Sequence, residues 1–99
     1  MSIVKTAEFT VRPEAVDEGK AAIAAFVAAV AAGEEGTQLY SSFQQADEPT
    51  RFLHVMVFDD EEAEARHRGS EWVKRFTDAL YPLTEQPPTF TDYVGVAST

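Results

Sequence analysis

Apolar and polar residues alternate from the start of the chain. Ile3, Ala7, Phe9 and Val11 fall on one side, with Val4, Thr6, Glu8 and Thr10 on the other. This period of two predicts a strand over Ile3–Val11. Arg12-Pro13 stops it, and Pro13 suits the first position of a helix whose opening carries Glu14, Asp17 and Glu18. At helical spacing Val16, Ile23, Phe26, Val27 and Val30 gather on one stripe, and Gly33 and Gly36 end the helix near Glu34-Glu35. Thr37–Gln45 reads as a second strand, with Leu39 and Phe43 opposite Tyr40, followed by a turn at Ala46-Asp47-Glu48-Pro49-Thr50.

Arg51–Phe58 is the third strand, and it is apolar on both sides. Phe52, Met56 and Phe58 share one face with His54, while Leu53, Val55 and Val57 form the other. Asp59 and Glu62 have the spacing of a capping box that opens a further helix. Gly69 breaks that helix and Ser70 caps a new one, whose apolar face holds Trp72, Val73, Phe76, Ala79, Leu80 and Leu83. Pro87-Pro88 ends all helix, and Thr89–Val96 is predicted as the last strand, with Phe90, Val94 and Val96 against Tyr93.

The order strand–helix–strand–strand–helix–strand is that of an α+β, ferredoxin-like (split βαβ) antiparallel sheet with helices on one face. Residues 1–99 form a single domain, since a chain of this length has no room for a second core. Two helices cover only one side of the sheet, so the other apolar face of the third strand needs a partner. A second copy, packed by two-fold symmetry into a homodimer, is the simplest closure.

Composition narrows the function. The net charge of −9 opposes binding to nucleic acid. No apolar run approaches the roughly 20 residues of a membrane span, and no signal peptide is visible. The absence of cysteine removes disulfides and thiolate chemistry and fits a cytoplasmic protein. There is no phosphate-binding glycine loop and no pair of histidines at metal-binding spacing, so no metal or other cofactor is expected.

What remains is a short set of candidates. His67, before Gly69, can accept a proton or hold a substrate oxygen near neutral pH. As a structural residue it is instead a histidine at a helix end, where positive charge is favourable. Trp72 and Phe76 can wall an aromatic ligand or fill the core. His54 and Tyr40 can contact a ligand, or be a buried, hydrogen-bonded histidine and a half-buried packing tyrosine. Tyr81 and Tyr93 admit the same two readings.

Four stretches together resemble the antibiotic biosynthesis monooxygenase domain family, within the dimeric α+β barrel group. They are the first strand with Val11-Arg12-Pro13-Glu14, then Glu34-Glu35-Gly36-Thr37, then Asp47–Phe52 running on through Phe58–Ala63, and finally His67-Arg68-Gly69-Ser70-Glu71-Trp72 with Phe76, Leu80 and Leu83. The resemblance implies a dimer with a cleft between sheet and helices in each subunit. It also implies oxidation of a phenol or quinol by molecular oxygen without flavin or metal, with His67 at the family's recurrent histidine. Met56 and Phe58 stand where many members carry Glu and Trp. A haem-degrading branch uses an Asn, a Trp and a His, and this chain has no asparagine. A haem-binding relative, a non-catalytic ligand-binding or stress-associated dimer, and an isomerase or lyase of the same barrel group are the other readings.

Overall fold

The computed structural model describes residues 1–99. Its strands are β1 (Ile3–Thr10), β2 (Thr37–Gln44), β3 (Arg51–Phe58) and β4 (Thr89–Tyr93), and its helices are α1 (Val16–Gly33), α2 (Glu61–Arg68) and α3 (Glu71–Leu80). Short 3-10 turns at Pro13–Ala15 and Tyr81–Leu83 precede α1 and follow α3. All pairings are antiparallel in the order β2-β3-β1-β4, the ferredoxin-like plan that the sequence predicts. No helix is long and apolar enough to cross a membrane.

Register decides what each face carries, because paired residues point the same way. Phe9 pairs with Phe52 and Ala7 with His54, and these side chains are buried beneath the helices. Ile23, Phe26 and Val30 of α1 and Phe76 and Leu80 of α3 close over them to form the main core. Phe26 and Phe76 stack at 4.3 Å between ring centroids, locking the two helices together.

On the open face, Leu39, Val57, Val4 and Tyr93 make an apolar row across all four strands. Leu53 and Phe43 make a second pair at the other end of β2 and β3. Leu39, Phe43 and Tyr93 are exposed, and no helix lies over them.

Two boundaries differ from the sequence reading. The last strand stops at Tyr93, because β1 supplies its pairing only as far as Val4. Val94 and Val96 keep the alternation but are 80% and 97% exposed. The cap of α2 is Asp60, not Asp59: its carboxylate accepts from the Ala63 N–H. The Asp59 backbone N–H is drawn instead to the Gly36 carbonyl at 2.8 Å, and its side chain accepts from Gln38. An ion-pair cluster that the sequence does not announce ties α2 to the sheet. Lys5 donates to Glu64 and lies 3.4 Å from Asp92, and Arg68 lies 3.2 Å from Glu64. The hydrogen bond from Lys5 holds the Glu64 carboxyl below its ordinary value, and the same bond raises Lys5.

Candidate active site

His67 ends α2 facing inward and is 7% exposed. The break that follows it is well made. Ser70 Oγ donates to the His67 carbonyl at 2.8 Å and accepts from the Val73 N–H, so one hydroxyl closes α2 and opens α3. That turn carries Trp72 back toward the end of α1.

Glu34 sits where these elements meet, just past the end of α1. Its carboxylate side chain is only 7% exposed. His67 Nδ1 donates to it at 2.9 Å, Trp72 Nε1 donates to the same carboxylate, and Thr37 Oγ1 donates from the start of β2. A buried carboxylate is tolerable only with such partners. The glycines around it make the approach possible. A Cβ on Gly33 would lie 2.6 Å from Trp72 Cη2, and one on Gly36 would lie 2.6 Å from Ala63 Cβ. Either would push α3 or α2 away from Glu34.

Holding the proton of His67 on Nδ1 fixes the ring orientation and leaves Nε2 as the basic nitrogen of the neutral imidazole. The rings of Phe58, Tyr40 and Phe26 surround it at 5.0, 5.6 and 5.9 Å. A carboxylate-oriented imidazole among aromatic rings is equipped for proton transfer to and from a flat molecule.

Tyr40 and His54 form a second pair, on the helix side of the sheet. The Tyr40 hydroxyl meets His54 Nδ1 at 2.8 Å. Burial first, and then the Glu34 charge, push the Tyr40 hydroxyl well above its ordinary value, so it stays protonated. Burial pushes the His54 imidazole down from 6.5 to about 4. His54 is therefore neutral at physiological pH, and acid must destabilise the fold through it. Its contribution is complete above pH 6.5 and is lost as pH falls toward about 4, because the unfolded chain takes up a proton that the folded chain refuses. That gap corresponds to about 3 kcal/mol. Urea unfolding at pH 7.5 and 4.5 should show wild type losing about that much more stability than the double variant Tyr40→Phe/His54→Leu. Equal losses would assign the acid sensitivity to other groups.

The open cleft expected beside His67 is not there. The space between sheet and helices is filled by the rings of Phe9, Phe26, Tyr40, His54 and Phe76, and Phe76 belongs to the main core. A cavity of about 650 Å³ lies outside Trp72 and is lined by Ala31–Thr37, Ala63, Arg66, Ser70 and Trp72. That volume suits a small ligand. His67 stands behind Glu34 and Trp72 rather than on its wall. A second hollow of about 700 Å³, bordered by Arg12, Phe43, Arg51 and Glu85, meets Phe9 but none of Glu34, Tyr40, His54, His67 or Trp72. Tyr93 is on the open face and Tyr81 is exposed beyond α3. Nowhere do three or more His, Asp or Glu side chains converge in a way that could hold a metal ion.

The family profile described as antibiotic biosynthesis monooxygenase matches residues 2–79. Among solved structures, a Caulobacter crescentus protein assigned to antibiotic biosynthesis monooxygenases superposes with a TM-score of 0.90 at 21% identity, covering 97% of this chain and 91% of its own. A Nitrosomonas europaea protein of the same assignment gives a TM-score of 0.91 at 20% identity, with 99% and 93% covered. Rv0793 from Mycobacterium tuberculosis gives 0.89 at 20% identity, with 99% and 98% covered. Similarity at these identities establishes the shared fold. No curated protein matches the chain.

Proposed function

Since the chain belongs to the antibiotic biosynthesis monooxygenase family, a family of oxidoreductases, we propose that it oxidises an electron-rich phenol or quinol with molecular oxygen, using His67 as the proton acceptor. The observation that carries this reading is the buried Glu34 carboxylate holding His67 Nδ1 at 2.9 Å. The phenolic proton passes to His67 Nε2, and the resulting phenolate gives one electron to oxygen. The radical pair joins as a carbon-bound peroxide, which takes the proton back from His67. Loss of water, formed from the outer oxygen and the ring C–H proton, leaves a quinone. The substrate thus loses two hydrogens and gains one oxygen, and the second oxygen leaves as water. The aromatic surroundings favour a flat substrate and keep bulk water from the peroxide. Trp72, on the wall of the 650 Å³ cavity, is the first ring the substrate meets, and reaching His67 Nε2 behind it requires the Trp72 ring to swing aside.

An oxygen electrode with purified protein and a panel of hydroquinones tests the reading. Uptake well above background is expected, with His67→Ala lowering it by about 100-fold or more. No uptake with any member would end the proposed substrate class, and unchanged uptake in the variant would remove His67 from the reaction. The packed interior favours one alternative, a protein that binds an aromatic molecule without turning it over. Tight binding with no oxygen uptake would identify it.

The open sheet face is part of the same reading. We propose that a second copy covers it, forming the homodimer that the two-sided apolar β3 calls for.

A further inference from the structure

Gly33 and Gly36 put two flat groups on the wall of the 650 Å³ cavity. The Trp72 ring lies against Gly33, and Arg66 Nη2 lies 3.2 Å from where a Gly36 Cβ would stand. Arg66 is the only cation lining this cavity. It is also the lining side chain whose donors are unspent. Trp72 Nε1–H and the Thr37 hydroxyl both go to Glu34, and the Ser70 hydroxyl goes to the His67 carbonyl. The carboxylate that Arg66 meets is Glu62, one turn back on α2 at 4.0 Å, with both side chains exposed. An exposed pair at that distance holds the guanidinium weakly, so a better partner can take it.

The chemistry of the two groups says what that partner is. A guanidinium fork accepts a carboxylate through two parallel N–H···O bonds, and an indole accepts a flat ring. We infer that Arg66 anchors a carboxylate substituent on the aromatic molecule that this cavity receives. The inference rests on the proposed phenol or quinol reading for the ring, and it narrows the substrate class to phenols and quinols that carry an acid group. The two acids on the same wall do not oppose it strongly. Glu34 is engaged by three donors, and Glu35 is exposed, where water and salt screen its charge. In a chain of net charge −9, the rest of the surface repels an anionic ring, so a lone cation beside an indole marks where one is accepted.

Anaerobic titration with 2,5-dihydroxybenzoate and with hydroquinone tests this without turnover, followed by the fluorescence of Trp72, the single tryptophan. Wild type should bind the acid about tenfold or more tightly than hydroquinone, as a charge-assisted bidentate contact requires. Arg66→Gln should bring the ratio of the two dissociation constants close to one. Arg66→Lys keeps the charge without the fork and should recover part of the ratio. The Arg66 side chain is 66% exposed, so both variants should fold. Failure of the acid to bind wild type, equal constants for the two rings, or a ratio that survives in Arg66→Gln would overturn the inference. A preference for the acid without oxygen uptake from either ring would count against the oxidation reading alone. Oxygen uptake from hydroquinone with no preference for the acid would count against the inference alone.

Discussion

Glu34→Ala should lower the stability of the folded chain by about 3–5 kcal/mol, the range for breaking a buried charged group away from its partners. The size follows from what the substitution strands. Trp72 Nε1–H, His67 Nδ1–H and the Thr37 hydroxyl all give their hydrogens to this carboxylate. Each donor left buried and unpaired costs about 1–3 kcal/mol, and of the three residues His67 is the fully buried one. For a chain of 99 residues the loss amounts to a fall in melting temperature of about 15–25 °C. Glu34→Gln keeps one acceptor oxygen and should lose less than half as much. Guanidinium unfolding of the three proteins measures the series. A Glu34→Ala variant within about 1 kcal/mol of wild type would mean that the cluster is a contact without energetic weight. The experiment also separates stability from chemistry, because Glu34→Gln should stay folded at 25 °C while facing His67 Nδ1 with a neutral amide in place of the carboxylate.

Glu34 is also where sequence reasoning fell short. In the chain it reads as one of two acids closing a helix, and its true neighbours, His67 and Trp72, are 33 and 38 residues away. The available signal was the pair Gly33 and Gly36 bracketing it. Glycines on both sides of a carboxylate allow close approach by other side chains, and here Trp72 and Ala63 use that space. Local patterns were read well where local physics decides. Arg51–Phe58 is found with its bounds, and Gly69-Ser70 breaks the second helical stretch as its residue types require. Alternation persists through Val96, yet β4 ends at Tyr93, because a strand exists only where another strand pairs with it. The helix-side position of His54 and Tyr40 is set by register across β2, β3 and β1, which no single strand's pattern contains. His67 and Trp72 could be named from the sequence, but the carboxylate that joins them could not.

The open face gives the other large effect. Four strands at about 4.8 Å spacing and eight residues at about 3.3 Å make a sheet of about 500 Å² per subunit. Two such faces together reach about 1,000 Å², the lower bound for a specific interface, so the dimer depends on the quality of the contact more than on its area. The best of that contact is the row Leu39–Val57–Val4–Tyr93, with Val57 and Val4 on the two central strands. Val57→Asp puts a carboxylate into the middle of the row in both subunits at once. Two-fold symmetry doubles the cost of desolvating it, and the chain already carries a net charge of −9, so no excess of cations is at hand to compensate. The dimer should weaken by more than 1,000-fold, about 4 kcal/mol or more. In the monomer the same position faces water and is only half-buried, so helix content by circular dichroism should be unchanged. Sedimentation velocity across a concentration series measures both proteins. A wild-type chain that sediments as a monomer at every concentration would remove the proposed dimer. A Val57→Asp variant that stays dimeric would mean that the two copies meet through some surface other than this face.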